Sequence, residues 1–187
     1  MELWDLYNEK RERTERDHIR GEQIPQGYYH LVVHVWIRNR RGEYLISQRS
    51  ADRPTHPLKW ECVGGSVLKG EDSLTGAVRE TLEEVGLRLP PADGRLIYSV
   101  VGRVVNGLQF QDIVDAWLFE YDGPVCLENA TTKEVAQTAW LTKEQMKVLF
   151  ESLFRFFPVE DDEGYGWILV QIGFKIIINR FFDGFVR

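Results

Sequence analysis

Three glutamates, Glu80, Glu83 and Glu84, fall at i, i+3 and i+4, a spacing that brings their side chains out on one side of an α-helix. Such a face repels itself. A hard divalent cation supplies the missing charge, because Mg²⁺ takes oxygen ligands and commonly bridges carboxylates to substrate phosphates. Glu71 stands just ahead of the helix and can approach the same place from its N-terminal end. Arg79 is adjacent to Glu80, yet neighbouring helical residues point in different directions, so Glu71 across the loop is the expected partner of Arg79 and Glu80 is not. Glycines at 64, 65 and 70 let the preceding loop fold tightly against the helix, where the backbone carbonyl of Gly65 can join the ligands. The ordinary meaning of a run of charges, a solvated acidic face, is the alternative.

The helix that must carry these groups begins at Asp72. Leu74, Ala77, Val78, Leu82 and Val85 recur at intervals of three and four, and Gly86 is placed to end the helix. Ahead of it the chain reads as antiparallel sheet: a hairpin from residues 2–8 and 15–19, then strands at 29–39 and 44–49 around the RRGEY turn. Beyond the PPADG turn, residues 95–105 and 109–121 read as strands around Asn106-Gly107, and 135–141 as a short strand. Thr142, followed by Glu144 and Gln145, signals another helix start. Strands, helix, strands, helix, without alternating βαβ units, favour an α+β sandwich over a doubly wound parallel sheet.

At 187 residues and 43% hydrophobic content, the chain suits one domain with a sizeable core. A formal net charge of −6 argues against an extended phosphate-backbone footprint, so no polymeric nucleic acid is expected as a partner. A small phosphorylated ligand held through a metal is compatible with that balance. Cys62 and Cys126 are too few for a disulfide framework and suit reduced thiols in the cytoplasm. The N-terminus lacks the pattern of a secretory signal, and the apolar stretch at 167–182 is interrupted by polar residues and short for a bilayer. No membrane role is expected.

The segment from Gly65 to Leu87 resembles the Nudix box, G-x5-E-x7-R-E-U-x-E-E-x-G-U, where U is a bulky apolar residue. Gly65, Glu71, Arg79, Glu80, Glu83, Glu84, Gly86 and Leu87 match in register. Seven fixed identities would coincide by chance roughly once in 10⁸ placements, which makes the motif highly specific. Thr81 departs from the first U position, where Leu82 is expected to cover some core surface. The resemblance implies a single Nudix domain, an α/β/α sandwich with a mixed, largely antiparallel sheet. Its core spans about 29–155, with an N-terminal hairpin over about 1–28 and a C-terminal extension over about 156–187. It also implies Mg²⁺-dependent hydrolysis of a nucleoside diphosphate linked to a group X, with Mn²⁺ as a substitute metal. Gly65, Glu80, Glu83 and Glu84 form the implied metal set. Glu84, Glu83, Arg79 and Glu71 serve the reaction, and Glu134, six residues before Trp140, matches in spacing a loop glutamate that some members use as general base. Asp112 and Asp115 are fallbacks for that role. Since Nudix proteins often dimerise, a homodimer is the expectation.

The segment from Tyr29 to Gly65 also resembles isopentenyl-diphosphate isomerases, which share the Nudix fold but move a double bond by proton transfer. Those enzymes carry a C-G-H segment before the box glutamate, and here the aligned residues are Gly64, Gly65 and Ser66. Cys62 is displaced by two residues. His30 falls where an isomerase metal histidine would be, Gln23 replaces the other upstream histidine, and Asp112 roughly replaces a catalytic glutamate. A nucleotide-sensing Nudix module is a third class, disfavoured because every box carboxylate is retained. For substrate recognition, Arg103 can meet a phosphate and Trp36, Trp60, Trp117 and Trp140 are candidate base-stacking partners, although their strand positions suggest core.

Overall fold

The computed structural model describes residues 2–105 and 108–146. A charged turn folds the N-terminal segment back on itself, so that β1 (Leu3–Tyr7) and β2 (Arg13–Ile19) pair antiparallel. The β-branched and aromatic run that follows is β3 (Tyr29–Arg38). Its alternation puts Leu31, Val33, Val35 and Ile37 on one face and His30, Val32, His34 and Trp36 on the other. After it come β4 (Tyr44–Arg49), β5 (Trp60–Glu61), β6 (Val63–Ser66) and the helix α1 (Ser73–Val85). The chain continues through β7 (Arg95–Val101), β8 (Val104–Val105), β9 (Leu108–Gln109), β10 (Asp112–Glu120) and β11 (Val135–Leu141).

β3 organises the sheet. β10 runs parallel to it from His30 opposite Asp112 to Arg38 opposite Glu120, and β7 pairs antiparallel with β10. Three further strands share the length of β3: β1 pairs at Tyr29 and His30, β6 at Val32 to Val35, and β4 at Arg38. β11 is added antiparallel to β4. The β3–β10 pair makes the sheet mixed while its other ladders are antiparallel, as the sequence suggests. The N-terminal hairpin is continuous with this sheet through β1.

α1 begins at Asp72, whose side chain accepts the Thr75 N–H at 2.7 Å, and ends at Gly86 in the left-handed conformation. Its apolar side packs on the sheet face carrying Leu31, Val33, Val35 and Ile37, together with Ala77, Val85, Leu87, Leu89, Ile113 and Phe119. Each fully buried aliphatic side chain of this kind contributes roughly 1.5–3 kcal/mol. Thr81 takes the buried place expected of a bulkier residue. Its hydroxyl donates to the Ala77 carbonyl at 2.8 Å, which removes the cost of burying it, and Leu82 lies only half-buried beside it. On the opposite face a second cluster joins Trp36, Tyr44, Cys62, Ala116, Leu118 and Met146. Met146 belongs to the helical turn at 143–146, which starts with Thr142 and Gln145 exchanging hydrogen bonds. Residues 147–187, including the apolar stretch at 167–182, lie outside the described residues. Among the described residues no helix is long and apolar enough to cross a membrane.

Two details differ from the sequence reading. The pair of strands around Asn106-Gly107 is not one continuous hairpin: β7 stops at Val101, and β8 and β9 form a separate two-stranded ribbon at its tip. More consequentially, β6 is a strand despite its two glycines. A Cβ at Gly64 would collide with the Val33 carbonyl oxygen on β3, and one at Gly65 would collide with the Glu80 carboxylate. Glycine at both places lets a helix carboxylate and a neighbouring strand close on the same short segment. Gly64→Ala is expected to destabilise the fold by roughly 2–3 kcal/mol, read as a lower urea midpoint at unchanged slope, and an unchanged midpoint would contradict this packing.

Candidate active site

Because β6 is pinned to the middle of β3 and leads through residues 67–72 into α1, the end of the strand and the acidic side of the helix face each other. Arg79 joins them. Its Nε donates to Glu71 Oε1 at 2.8 Å, and its Nη2 donates to Glu71 Oε2 at 3.0 Å and to the Ser66 carbonyl at 2.9 Å. Its Nη1 donates to Glu80 Oε1 and Glu83 Oε2, both at 2.9 Å. The Glu71 partnership agrees with expectation, but the exclusion of Glu80 is corrected. Adjacent Cβ atoms do diverge, yet the long arginine side chain bends back so that its guanidinium spans all three carboxylates. Burial opposes the charge on Arg79; hydrogen bonds to Glu71 and the field of Glu80 outweigh it and hold the guanidinium above its ordinary pKa.

Glu84 is different. It is 5% exposed, and among the described residues no cation pairs with it; its Oε2 accepts the Gly64 N–H at 3.2 Å. Burial pushes its pKa up to about 8, the charge of Glu80 adds to the rise, and the Gly64 bond only partly opposes it. Burial likewise raises the pKa of Glu80 against the pull of Arg79, and Glu134 adds to the negative field on both.

These groups line a cleft of about 450 Å³. Gly64, Gly65, Ser66, Arg79, Glu80, Glu83 and Glu84 form one side of its lining, and Glu134 joins from the segment before β11. That segment is tied to the helix: the Thr131 and Thr132 N–H groups and the Thr132 hydroxyl all donate to the Glu83 carbonyl. Arg53 Nη1 pairs with Glu134 Oε1 at 2.6 Å, and Arg53 Nε is buried without a partner. Arg49, paired with Glu61 at 2.6 Å, and Arg20, paired with Glu2 at 2.6 Å, line the same cleft. Sequence reasoning passed over these three arginines. Arg49 was visible only as the end of a strand, and no spacing rule relates Arg20 to the helix.

Other candidates lie elsewhere. Asp112 is paired with Arg103, which also stacks over Phe110, and neither residue lines the cleft. Asp115 is fully buried and paired with Arg11 at 2.8 Å. His30 stacks on Trp4 with ring centroids 4.3 Å apart, its Nδ1 is 3.1 Å from the Gln111 carbonyl, and burial lowers its pKa. Gln23 is exposed. Cys62 is buried, and that burial pushes its thiol up, away from the thiolate that isomerase chemistry would need. Trp36 is buried in the cluster with Tyr44 and Cys62, Trp117 and Trp140 pack against the cluster on the helix side of the sheet, and neither these nor Trp60 line the cleft.

The donor set suits a hard divalent cation in kind, since the cleft is lined by carboxylates and by Gly65, and one buried carboxylate, Glu84, lacks a counter-charge among the described residues. Among the described residues, however, no three acidic, imidazole or thiol side chains converge closely enough to cage an ion. Arg79 stands between Glu80 and Glu83 instead.

The family model for the NUDIX domain matches residues 28–159. An uncharacterized Nudix hydrolase of Listeria innocua is 39% identical over 153 residues, covering 81% of this chain and 86% of the relative. A chloroplastic isopentenyl-diphosphate Delta-isomerase of Cannabis sativa is 27% identical over 170 residues, covering 81% of this chain and 54% of the relative. Among solved structures, the Deinococcus radiodurans protein DR0079 superimposes with a TM-score of 0.64 at 21% identity, covering 91% of this chain and 98% of that one, a likeness of fold. With the family model spanning most of the chain and the Listeria relative matching over most of both lengths, the chain belongs to the NUDIX family and is a pyrophosphohydrolase of that type.

Proposed function

We propose that the protein is a Mg²⁺-dependent hydrolase that cleaves the phosphoanhydride of a nucleoside diphosphate linked to X, or of a related small diphosphate, in the cytoplasm. The observation that carries this reading is Glu84, a buried carboxylate with no cationic partner among the described residues, beside Glu80 and Glu83 in an otherwise polar cleft. Burying an ionised carboxylate without a counter-charge is costly, and a cation shared with a substrate diphosphate would remove that cost.

Glu80, Glu83, Glu84 and the Gly65 carbonyl would hold the metal, which when bound supplies Lewis-acid charge to the diphosphate and to the charge developing on it. The other roles belong to the chain. Arg79 holds Glu80 and Glu83 in place and is itself held by Glu71. Arg49, Arg53 and Arg20 offer guanidinium donors across the cleft for phosphate oxygens. Glu134 is the proposed general base, a carboxylate in the same cleft that can orient a water and take its proton once Arg53 turns to the substrate. Isomerisation is disfavoured because no thiol or histidine stands at positions 64–66 and the Cys62 thiol is buried.

Mg²⁺-dependent product release should be measured on nucleoside diphosphate sugars, nucleoside triphosphates, dinucleotides and isopentenyl diphosphate. One phosphoanhydride class should be hydrolysed, and Glu84→Gln should lower kcat for it by at least ~100-fold at matched Mg²⁺; wild-type turnover in that variant would overturn the role given to Glu84. Stability gives a second check. In metal-free protein the Glu84 pKa is about 8 against an ordinary 4.5, so between those values the folded state holds a proton that the unfolded state has lost. That stabilising contribution is complete below pH 4.5 and disappears as pH rises to about 8. With EDTA present, wild type should therefore lose stability relative to Glu84→Gln by on the order of 3 kcal/mol between pH 5 and 8, and Mg²⁺ at pH 8 should restore it in wild type only. Parallel pH curves for the two proteins would contradict the burial of an unpaired carboxylate.

A further inference from the structure

The turn that carries Glu71 is gripped from outside the helix and its loop. Asp5, on β1, is 7% exposed, and its Oδ2 accepts the Gly70 N–H at 2.8 Å. The same oxygen pairs with Arg13 Nη1 on β2 at the longer distance of 3.5 Å. One residue earlier the Lys69 N–H donates to the Leu3 carbonyl at 2.8 Å, and the Lys69 ammonium pairs with Asp17 on β2. Both strands of the N-terminal hairpin thus hold the same short segment. The turn is closed on itself by the Glu71 N–H donating to the Leu68 carbonyl and by the Leu68 N–H donating to Glu71 Oε2, each at 3.0 Å.

A carboxylate is expensive to bury, and Asp5 sits between the buried apolar residues Trp4 and Leu6. Apolar packing alone would not call for it. What it provides is an acceptor oxygen for one backbone N–H at the residue before Glu71. From there an unbroken series of contacts runs through Glu71 to Arg79 and on to Glu80 and Glu83.

We propose that Asp5 is a positioning residue for the candidate active site: its carboxylate sets the Gly70–Glu71 turn and, through Glu71, the seat of Arg79 against Glu80 and Glu83. The N-terminal hairpin, which precedes the Nudix box in sequence, is then a working part of the site. This rests on the reading of Glu80, Glu83 and Glu84 as a metal-binding face.

The test is a series in which acceptor placement and charge are separated. Asp5→Asn keeps an oxygen where Gly70 needs it and removes the charge, Asp5→Glu keeps the charge and displaces the oxygen, and Asp5→Ala removes both. The Arg79 Nε–H resonance, which reports the bond to Glu71, should shift in Asp5→Glu and Asp5→Ala and stay in place in Asp5→Asn, with no metal present. Mn²⁺ titrated alone into each protein should bind about tenfold more weakly to the two displaced variants and within about twofold of wild type to Asp5→Asn. In turnover, Asp5→Glu should lower kcat with KM little changed. The Asn and Glu variants decide the matter even where Asp5→Ala does not fold. An unmoved Arg79 resonance in folded Asp5→Glu overturns the role of Asp5, as does a shift in Asp5→Asn as large as in Asp5→Glu. Wild-type protein that binds no Mn²⁺ overturns the metal-face reading instead, while the resonance still reports on Asp5.

Discussion

Bringing several carboxylates together at the foot of a sheet sets an electrostatic constraint on everything around them. Arg79 meets most of it, since one planar guanidinium with its donors in a rigid fork satisfies Glu71, Glu80, Glu83 and the Ser66 carbonyl at once. A lysine has no such planar fork. Glu84 lies outside the reach of this fork and is buried against Gly64 with its pKa raised. The site therefore combines three carboxylates that share one guanidinium with a fourth, Glu84, that has no cationic partner among the described residues.

That arrangement is possible only because β6 lies where it does. Without side chains at Gly64 and Gly65, the strand can lie flush on Val33 while Glu80 closes over it from the helix. The loop before β11 closes from the other direction by giving three donors to the Glu83 carbonyl, and so carries Glu134 into the same cleft. The helix thus sets Glu80, Glu83 and Glu84, while Glu134 comes from a loop and Arg49, Arg53 and Arg20 arrive on a strand end, a loop and the end of the N-terminal hairpin. Each of those arginines is held by a carboxylate, Glu61, Glu134 or Glu2, at 2.6 Å.

The neighbouring carboxylates at Asp112 and Asp115 show the opposite outcome for similar chemistry. Each lies on β10 and is buried, but each is closed off by its own arginine, Arg103 or Arg11. Asp112 ties the start of β10 to the segment after β7 through Arg103, and Asp115 ties β10 to the turn of the N-terminal hairpin through Arg11. Buried carboxylates of this fold thus differ in whether a cation is built in beside them, as for Asp112 and Asp115, or not, as for Glu84 among the described residues.

The sequence by itself determined the helix and its acidic face, because intervals of three and four residues are local geometry, and Asp72 and Gly86 bound them with caps that act within a turn. It also determined most strands, whose β-branched and aromatic runs are local signals. Tertiary structure decided the rest. Two glycines carry no strand propensity, so β6 became visible only from the close approach of β3. The pairing of Arg79 with Glu80 follows from where a flexible side chain finds several acceptors together, which adjacency cannot show. Arg20, Arg49, Arg53 and Asp5 are separated from the helix by long stretches of chain, and only the pairing of β1 with β3 and the return of the loops over the sheet bring them near the carboxylates. Spacing encodes contacts within an element, whereas the environment that makes Glu84 a poor acid and Asp112 a structural one is a matter of burial and of partners distant in sequence.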